Sequence, residues 1–191
     1  LARARAAGIE TRVIDHTHYP DRDAFDRALG DAIAAHTPGL VVLAGFMRIL
    51  SPGFVQHYQG RMLNIHPSLL PEFRGLHTHE RALAAGVAEH GASVHFVTEE
   101  LDGGPRILQG RLRVQPGESA TDLRGRVQAV EHRIRTGQIV AQAPVAGQHA
   151  GAADDDIDLR GARIFLGEEE LYRPGVRDQV RLLAESPHRR W

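Results

Sequence analysis

Asn64 and His66 stand two residues apart in a β-rich stretch, and Asp102 follows in a turn further along the chain. Side chains alternate along a strand, so Asn64 and His66 share a face and can address one substrate atom together. A neutral amide donor beside an imidazole stabilises a developing oxyanion and moves protons. A nearby carboxylate fixes the imidazole's tautomer and raises its pKa from ~6.5. This is the equipment of acyl transfer. On spacing alone, however, an N-x-H pair in a strand is more often a hydrogen-bonded structural pair than a catalytic one.

Histidine is abundant, with 12 in the chain, and His77 and His79 form an H-x-H that invites a zinc reading with His66 and His95 nearby. Residues at i and i+2 of a loop-to-helix junction do not face one way, and the spacing fixes no third ligand, so metal is the second reading of this region. His77 and His95 are expected instead to hydrogen-bond in or beside the loop that follows His66. His16, His18, His149 and His188 read as surface residues.

The elements that must hold these groups follow from periodicity. Leu1 to Ala7 read as the end of a helix stopped by Gly8, and Thr11 to Ile14 as a short strand. Between Asp21 and His36, the residues Phe25, Ala28, Leu29, Ala32 and Ile33 fall on one helical face, with Asp21 and Asp23 at the positive end of the helix. Leu40 to Ala44 form an unbroken apolar run, as in a parallel strand covered on both faces. Ser51 is expected to cap a helix with Pro52 at its first position. Arg61 to Ile65 read as a strand, His66 to Leu76 as a loop, and Thr78 to Ala85 as a helix ended by Gly86. Ala92 to Thr98 and Ile107 to Val114 read as strands about a turn at Glu99 to Gly104. Ser119 to Ile134 form a helix with Leu123, Val127, Val130 and Ile134 on one face. Strands alternating with helices at these spacings predict an α/β fold with a mostly parallel twisted sheet and helices on both faces, and such sheets place their sites outside the carboxyl ends of the strands. Beyond Ile134 the pattern weakens. Gly137 to Val145 read as a further strand, 147–158 as a Gly/Ala/Asp-rich linker, and Arg160 to Trp191 as a mixture of charged and scattered apolar residues.

Composition excludes several classes. The 191 residues suit one domain with a tail, and 23 basic against 24 acidic side chains give a net charge of −1. No global positive field invites nucleic acid. Without cysteine the chain carries no disulfide, thiolate metal site or Cys nucleophile, which leans towards the cytoplasm. The longest apolar run, Gly39 to Met47, falls far short of the roughly 20 residues of a membrane helix, so no membrane partner is expected. The chain opens on Leu1 inside a helix-like stretch, and a truncated N-terminus is expected.

The run Asn64-Ile65-His66-Pro67-Ser68-Leu69-Leu70-Pro71, then Gly75-Leu76-His77-Thr78-His79, Ser93-Val94-His95-Phe96-Val97-Thr98 and Glu100-Leu101-Asp102-Gly103-Gly104-Pro105, resembles the 10-formyltetrahydrofolate-dependent formyltransferases. The resemblance runs from Leu1 to about Ile134 and implies a Rossmann-like core over 1–134, with 135–191 a diverged or rearranged tail. It is greatest to the branch whose acceptor is the amine of 5-phosphoribosylglycinamide, in de novo purine biosynthesis. It implies that Asn64, His66 and Asp102 are catalytic. It also implies that Met47, Arg48, Ile49, Leu50, Asn64 and the Val97, Thr98, Glu99, Glu100, Leu101, Asp102 loop surround the folate, with Arg22 near the folate tail. Gln128 and Glu131 would bind the glycinamide substrate. The co-substrate would be 10-formyltetrahydrofolate with no metal, and the partners small molecules, acting on a monomer or homodimer.

An apolar rim directly after a buried strand suits a flat heterocycle, although Met and Leu at such places more often fill a core. Gln128 and Glu131, at i and i+3, can meet an amine and its adjacent amide together, although such a pair otherwise reads as a solvated helix face. The family's N-terminal glycine-rich phosphate loop has no counterpart from Leu1 onward, and after Ile134 the usual continuation is replaced by Arg135-Thr136-Gly137. A formyltetrahydrofolate deformylase would use the same triplet with water as acceptor, and a transfer RNA formyltransferase would favour a more basic surface. The non-enzyme alternative is an inactive fragment that keeps folate binding.

Overall fold

The computed structural model describes residues 1–135 and 163–166. In chain order the elements are α1 (Ala2–Ala6), α2 (Arg22–Ala34), β1 (Val41–Ala44), α3 (Pro52–His57), β2 (Met62–His66), α4 (Thr78–Ala84), β3 (Glu89–Phe96), β4 (Arg106–Arg113), α5 (Ala120–Arg135) and β5 (Arg163–Leu166), with a 3-10 turn at His16–His18. The sheet order is β4-β3-β2-β1-β5. β1 pairs in parallel with β2 and β5, while β3 pairs antiparallel with both β2 and β4. Four of these strands therefore run one way and β3 alone is reversed, lying antiparallel between β2 and β4. The expected α/β architecture is present, and the reversal of β3 matters for the site.

Helices cover both faces. Phe25, Leu29 and Ile33 of α2 pack with Phe54, Val55 and Tyr58 against Val41, Leu43 and Met62. On the opposite face Leu123, Val127, Val130 and Ile134 of α5 pack against Ala92 and the flanking Val94, Leu108 and Leu112. On that same face Val42, Ala44, Leu63 and Ile65 form a third apolar cluster, which shares Val94 with the α5 layer. All four residues of β1 are buried, as an unbroken apolar run in a central parallel strand requires.

Several local expectations change. Thr11 to Ile14 form no ladder with a strand among the described residues, and Val13 is 57% exposed. β propensity makes a strand only where an edge is available to pair with. Ser51 precedes α3 with Pro52 in the first turn, but its side chain makes no cap bond. Its backbone N–H donates instead to Asp26, buried in α2, so a neighbouring helix supplies the acceptor that the cap position does not. At the start of α2, Asp21, expected there only as a charge at the helix's positive end, also caps the helix by accepting from the Ala24 N–H. The strand expected at Gly137 to Val145, the linker at 147–158, and His149 and His188 lie outside the described residues, whereas β5 arises in a segment where the sequence signalled no strand.

Candidate active site

The site assembles where β2 ends. Met62, Asn64 and His66 point to one face, and the antiparallel register sets Asn64 opposite His95 and His66 opposite Ser93. Directly opposed residues bring their side chains close, so Asn64 Nδ2 lies 3.2 Å from His95 Nε2. Reversal of β3 makes this pairing, which a fully parallel sheet would not.

Asp102 enters from the turn between β3 and β4. Its φ of +49° lies in the left-handed region, which Asp tolerates better than most residues. Gly104 closes the turn, where a Cβ would fall 1.9 Å from the Phe96 carbonyl oxygen. Asp102 Oδ2 stands 3.4 Å from His66 Nδ1, and its Oδ1 stands 3.5 Å from His95 Nε2. The Gly75 N–H donates to Oδ2 at 2.8 Å. His66 Nε2 donates to the Phe73 carbonyl at 3.0 Å, and His95 Nδ1 donates to the Phe96 carbonyl at 2.9 Å. His66 and His95 are buried. Of the predicted triplet, His66 and Asp102 meet directly, and Asn64 joins them through His95, a fourth member that bridges Asn64 and Asp102. The sequence placed His95 beside the loop but did not link it to Asn64; its spacing from the β3–β4 turn was the available signal.

The electrostatics correct one expectation. Burial lowers the His66 pKa below the ordinary histidine value; the Phe73 carbonyl and Asp102 oppose this without overcoming it. The carboxylate pulls as expected, but desolvation of the charged ring is larger. Burial alone would raise the Asp102 carboxyl, yet hydrogen bonds from His95 and Gly75, with the His66 charge, hold it below the usual carboxylate range. Asp102 therefore carries the negative charge near neutral pH, beside a ring whose two nitrogens both face oxygen acceptors.

Of the residues expected to surround the folate, Met47, Ile49 and Leu101 are more than half exposed. Leu50 and Val97, from the same two segments, pack partly buried against the α2 core cluster. The Val97 N–H donates to the Met62 carbonyl, Thr98 Oγ1 to the Glu100 carbonyl, and Gln56 to the Glu99 carboxylate. Arg48 lies over the Phe25 ring at 5.1 Å, towards α2, on whose first turn Arg22 is exposed. On α5, Glu131 is buried, and the Gln128 Nε2 atom is buried without a hydrogen-bond partner among the described residues. The two histidines of the H-x-H separate. His77 is exposed in a left-handed conformation ahead of α4, while His79 is buried with its Nδ1 3.2 Å from His90 Nε2. Among the described residues no three metal-ligating side chains converge.

Comparison with known proteins gives a consistent picture. Residues 1–139 match the model of the formyl transferase family. Over 134 residues the chain is 58% identical to phosphoribosylglycinamide formyltransferase of Escherichia coli K12, an alignment covering 70% of this chain and 63% of that protein. Over the same length it is 49% identical to the human trifunctional purine biosynthetic protein adenosine-3, covering 70% of this chain and 13% of that one. Among solved structures, phosphoribosylglycinamide formyltransferase of Coxiella burnetii superposes with a TM-score of 0.64 at 54% identity, covering 70% of this chain and 63% of the other. Glycinamide ribonucleotide transformylase 1 of Symbiobacterium toebii gives 0.67 at 47% identity, with coverage of 70% and 63%. The chain spans a little under two thirds of the E. coli relative's length.

Proposed function

The chain belongs to the formyl transferase family, and from that premise we propose that a protein carrying it moves a formyl group from 10-formyltetrahydrofolate to the amine of 5-phosphoribosylglycinamide. The observation that carries this reading is the linked set of Asn64, His95, Asp102 and His66 at one strand end, in a chain so similar to enzymes bearing that name.

The acceptor amine attacks the formyl carbon, forming a C–N bond and an oxyanion. The Asn64 amide and the His66 imidazole, when protonated, stabilise that oxyanion. The bond from the formyl carbon to N10 of the folate then breaks, and the proton lost by the amine passes to N10. Asp102 holds His66 and favours its protonated form against the penalty of burial. Direct attack uses no acyl-enzyme.

In the same reading Met47, Ile49 and Leu101 cover the flat pteridine, which accounts for their exposure. Arg22 pairs with a carboxylate of the folate tail. The partnerless Gln128 Nε2, one turn from Glu131, supports a role for α5 in holding the glycinamide.

The test is to follow loss of the 10-formyl group with and without 5-phosphoribosylglycinamide. Formylated glycinamide as product, absent in N64A and H66A, supports the proposal. Formate released at the same rate without the acceptor would point to water as the acceptor and overturn it.

A further inference from the structure

The loop between β2 and α4 brings two backbone groups to the site, the Phe73 carbonyl to His66 Nε2 and the Gly75 N–H to Asp102. Its conformation is unfavourable by itself. Phe73 and His77 have φ of +54° and +57°, a region bulky side chains rarely adopt, so surrounding contacts must impose it. Arg81 of α4 reaches back over this segment. Its Nη1 donates to the Arg74 carbonyl at 2.6 Å and the Leu76 carbonyl at 3.3 Å, and its guanidinium lies 5.7 Å from the Phe73 ring centre. One side chain thus grips residues 73, 74 and 76, which include and flank the two that touch the site. The other brace, the ion pair of Arg74 with Glu100, is between solvent-exposed groups and holds less.

Two acceptors compete for the proton of a neutral His66: the Phe73 carbonyl at Nε2, 3.0 Å away, and the Asp102 carboxylate at Nδ1, 3.4 Å away. A carbonyl only accepts, so the observed contact requires hydrogen on Nε2. We propose that Arg81 is a positioning residue that selects this form: by clamping the loop it keeps the Phe73 carbonyl on His66 and the Gly75 N–H on Asp102. When the clamp is lost Asp102 wins the competition and the neutral ring carries its hydrogen on Nδ1. The proposal rests on the reading of His66 and Asp102 as catalytic for its effect on turnover, but not for its effect on the ring.

The experiment is nitrogen NMR of the full chain labelled with 15N-histidine, at a pH above the titration of His66, for wild type, R81Q, R81K and R74Q, with formyl transfer assayed in parallel. The His66 signals are assigned from their loss in H66Q. The wild-type ring is expected as the Nε2–H tautomer and R81Q as mainly Nδ1–H, with transfer reduced about ten- to a hundredfold by the displaced groups. R81K keeps the charge but not the planar fork, and gives an intermediate tautomer ratio; R74Q matches wild type. Wild-type His66 spectra in both folded Arg81 variants would overturn the proposal. Should R81Q not fold, R81K decides, an intermediate ratio supporting the clamp and a wild-type ratio refuting it. If H66Q transfers formyl normally, the catalytic reading fails while the tautomer result still judges the clamp.

Discussion

Asp102 carries the largest electrostatic consequence of any single side chain in the site, because its carboxylate meets His66, His95 and the Gly75 N–H at once. D102N keeps the size and removes the charge, so His66 loses the partner that opposes its desolvation. Formyl transfer is expected to fall by about 10²- to 10⁴-fold, the usual weight of positioned acid–base catalysis, with folate binding changed much less. Steady-state rates beside equilibrium titration of a folate analogue check this; equal losses in both would make Asp102 a binding residue. Q128A, by contrast, is expected to raise KM for the glycinamide acceptor while leaving that for the folate near wild type. A rise in the folate KM alone would remove Gln128 from the acceptor's side.

At the level of elements, the loop after His66 is tied to the sheet by Ser93. This buried serine donates to the Ser68 carbonyl at 2.7 Å and accepts from the Leu70 N–H at 3.0 Å and from Gln109 Nε2 at 2.8 Å. Arg106 and Gln109 of β4 add bonds to the Leu70 carbonyl. S93A leaves a buried N–H and a buried carbonyl without their partner, and is expected to cost about 1–3 kcal/mol in denaturant unfolding. A loss within error of zero would show that the loop does not depend on that hub. L123A tests the packing of α5. Leu123 is fully buried against β3 and β4, and its truncation is expected to cost about 2–5 kcal/mol, the range for large-to-alanine changes in a core. A cost under ~1 kcal/mol in the same unfolding experiment would mean that α5 is loosely held.

The whole molecule should respond to acid through its buried histidines. His66 and His90 both titrate below the ordinary histidine value, chiefly because burial disfavours the charged ring. For each, the unfolded chain takes up a proton at ~6.5 while the folded chain does so only at lower pH. Between those values the unfolded state binds more protons, so this stability is full above pH ~6.5 and is lost as pH falls through the folded pKa values. Asp102, held low in the fold, adds stability that is present above its unfolded value of ~3.9 and lost at still lower pH. Denaturation midpoints are expected to begin falling below pH ~6.5, before carboxylates titrate, and H90Q should show a shallower fall. Identical profiles for the two proteins would exclude His90 as a source of the acid sensitivity.

What could be read from the sequence was local. The periodicity from Asp21 to His36 gave α2, the apolar run at Leu40 gave β1, and alternation along Arg61 to Ile65 put Asn64 and His66 on one face. Several ordered motifs then singled out Asp102. Helical and strand periods are properties of neighbouring residues, so a linear string records them. Contacts between distant segments are not recorded there. The reversal of β3 that sets His95 against Asn64, the Phe73 carbonyl and Gly75 N–H delivered by a left-handed loop, and the pairing of β5 with β1 all depend on how segments meet. The direction of the His66 shift likewise belongs to the tertiary structure. A carboxylate's pull can be anticipated from residue types, but the desolvation that outweighs it exists only once the ring is enclosed by the folded chain.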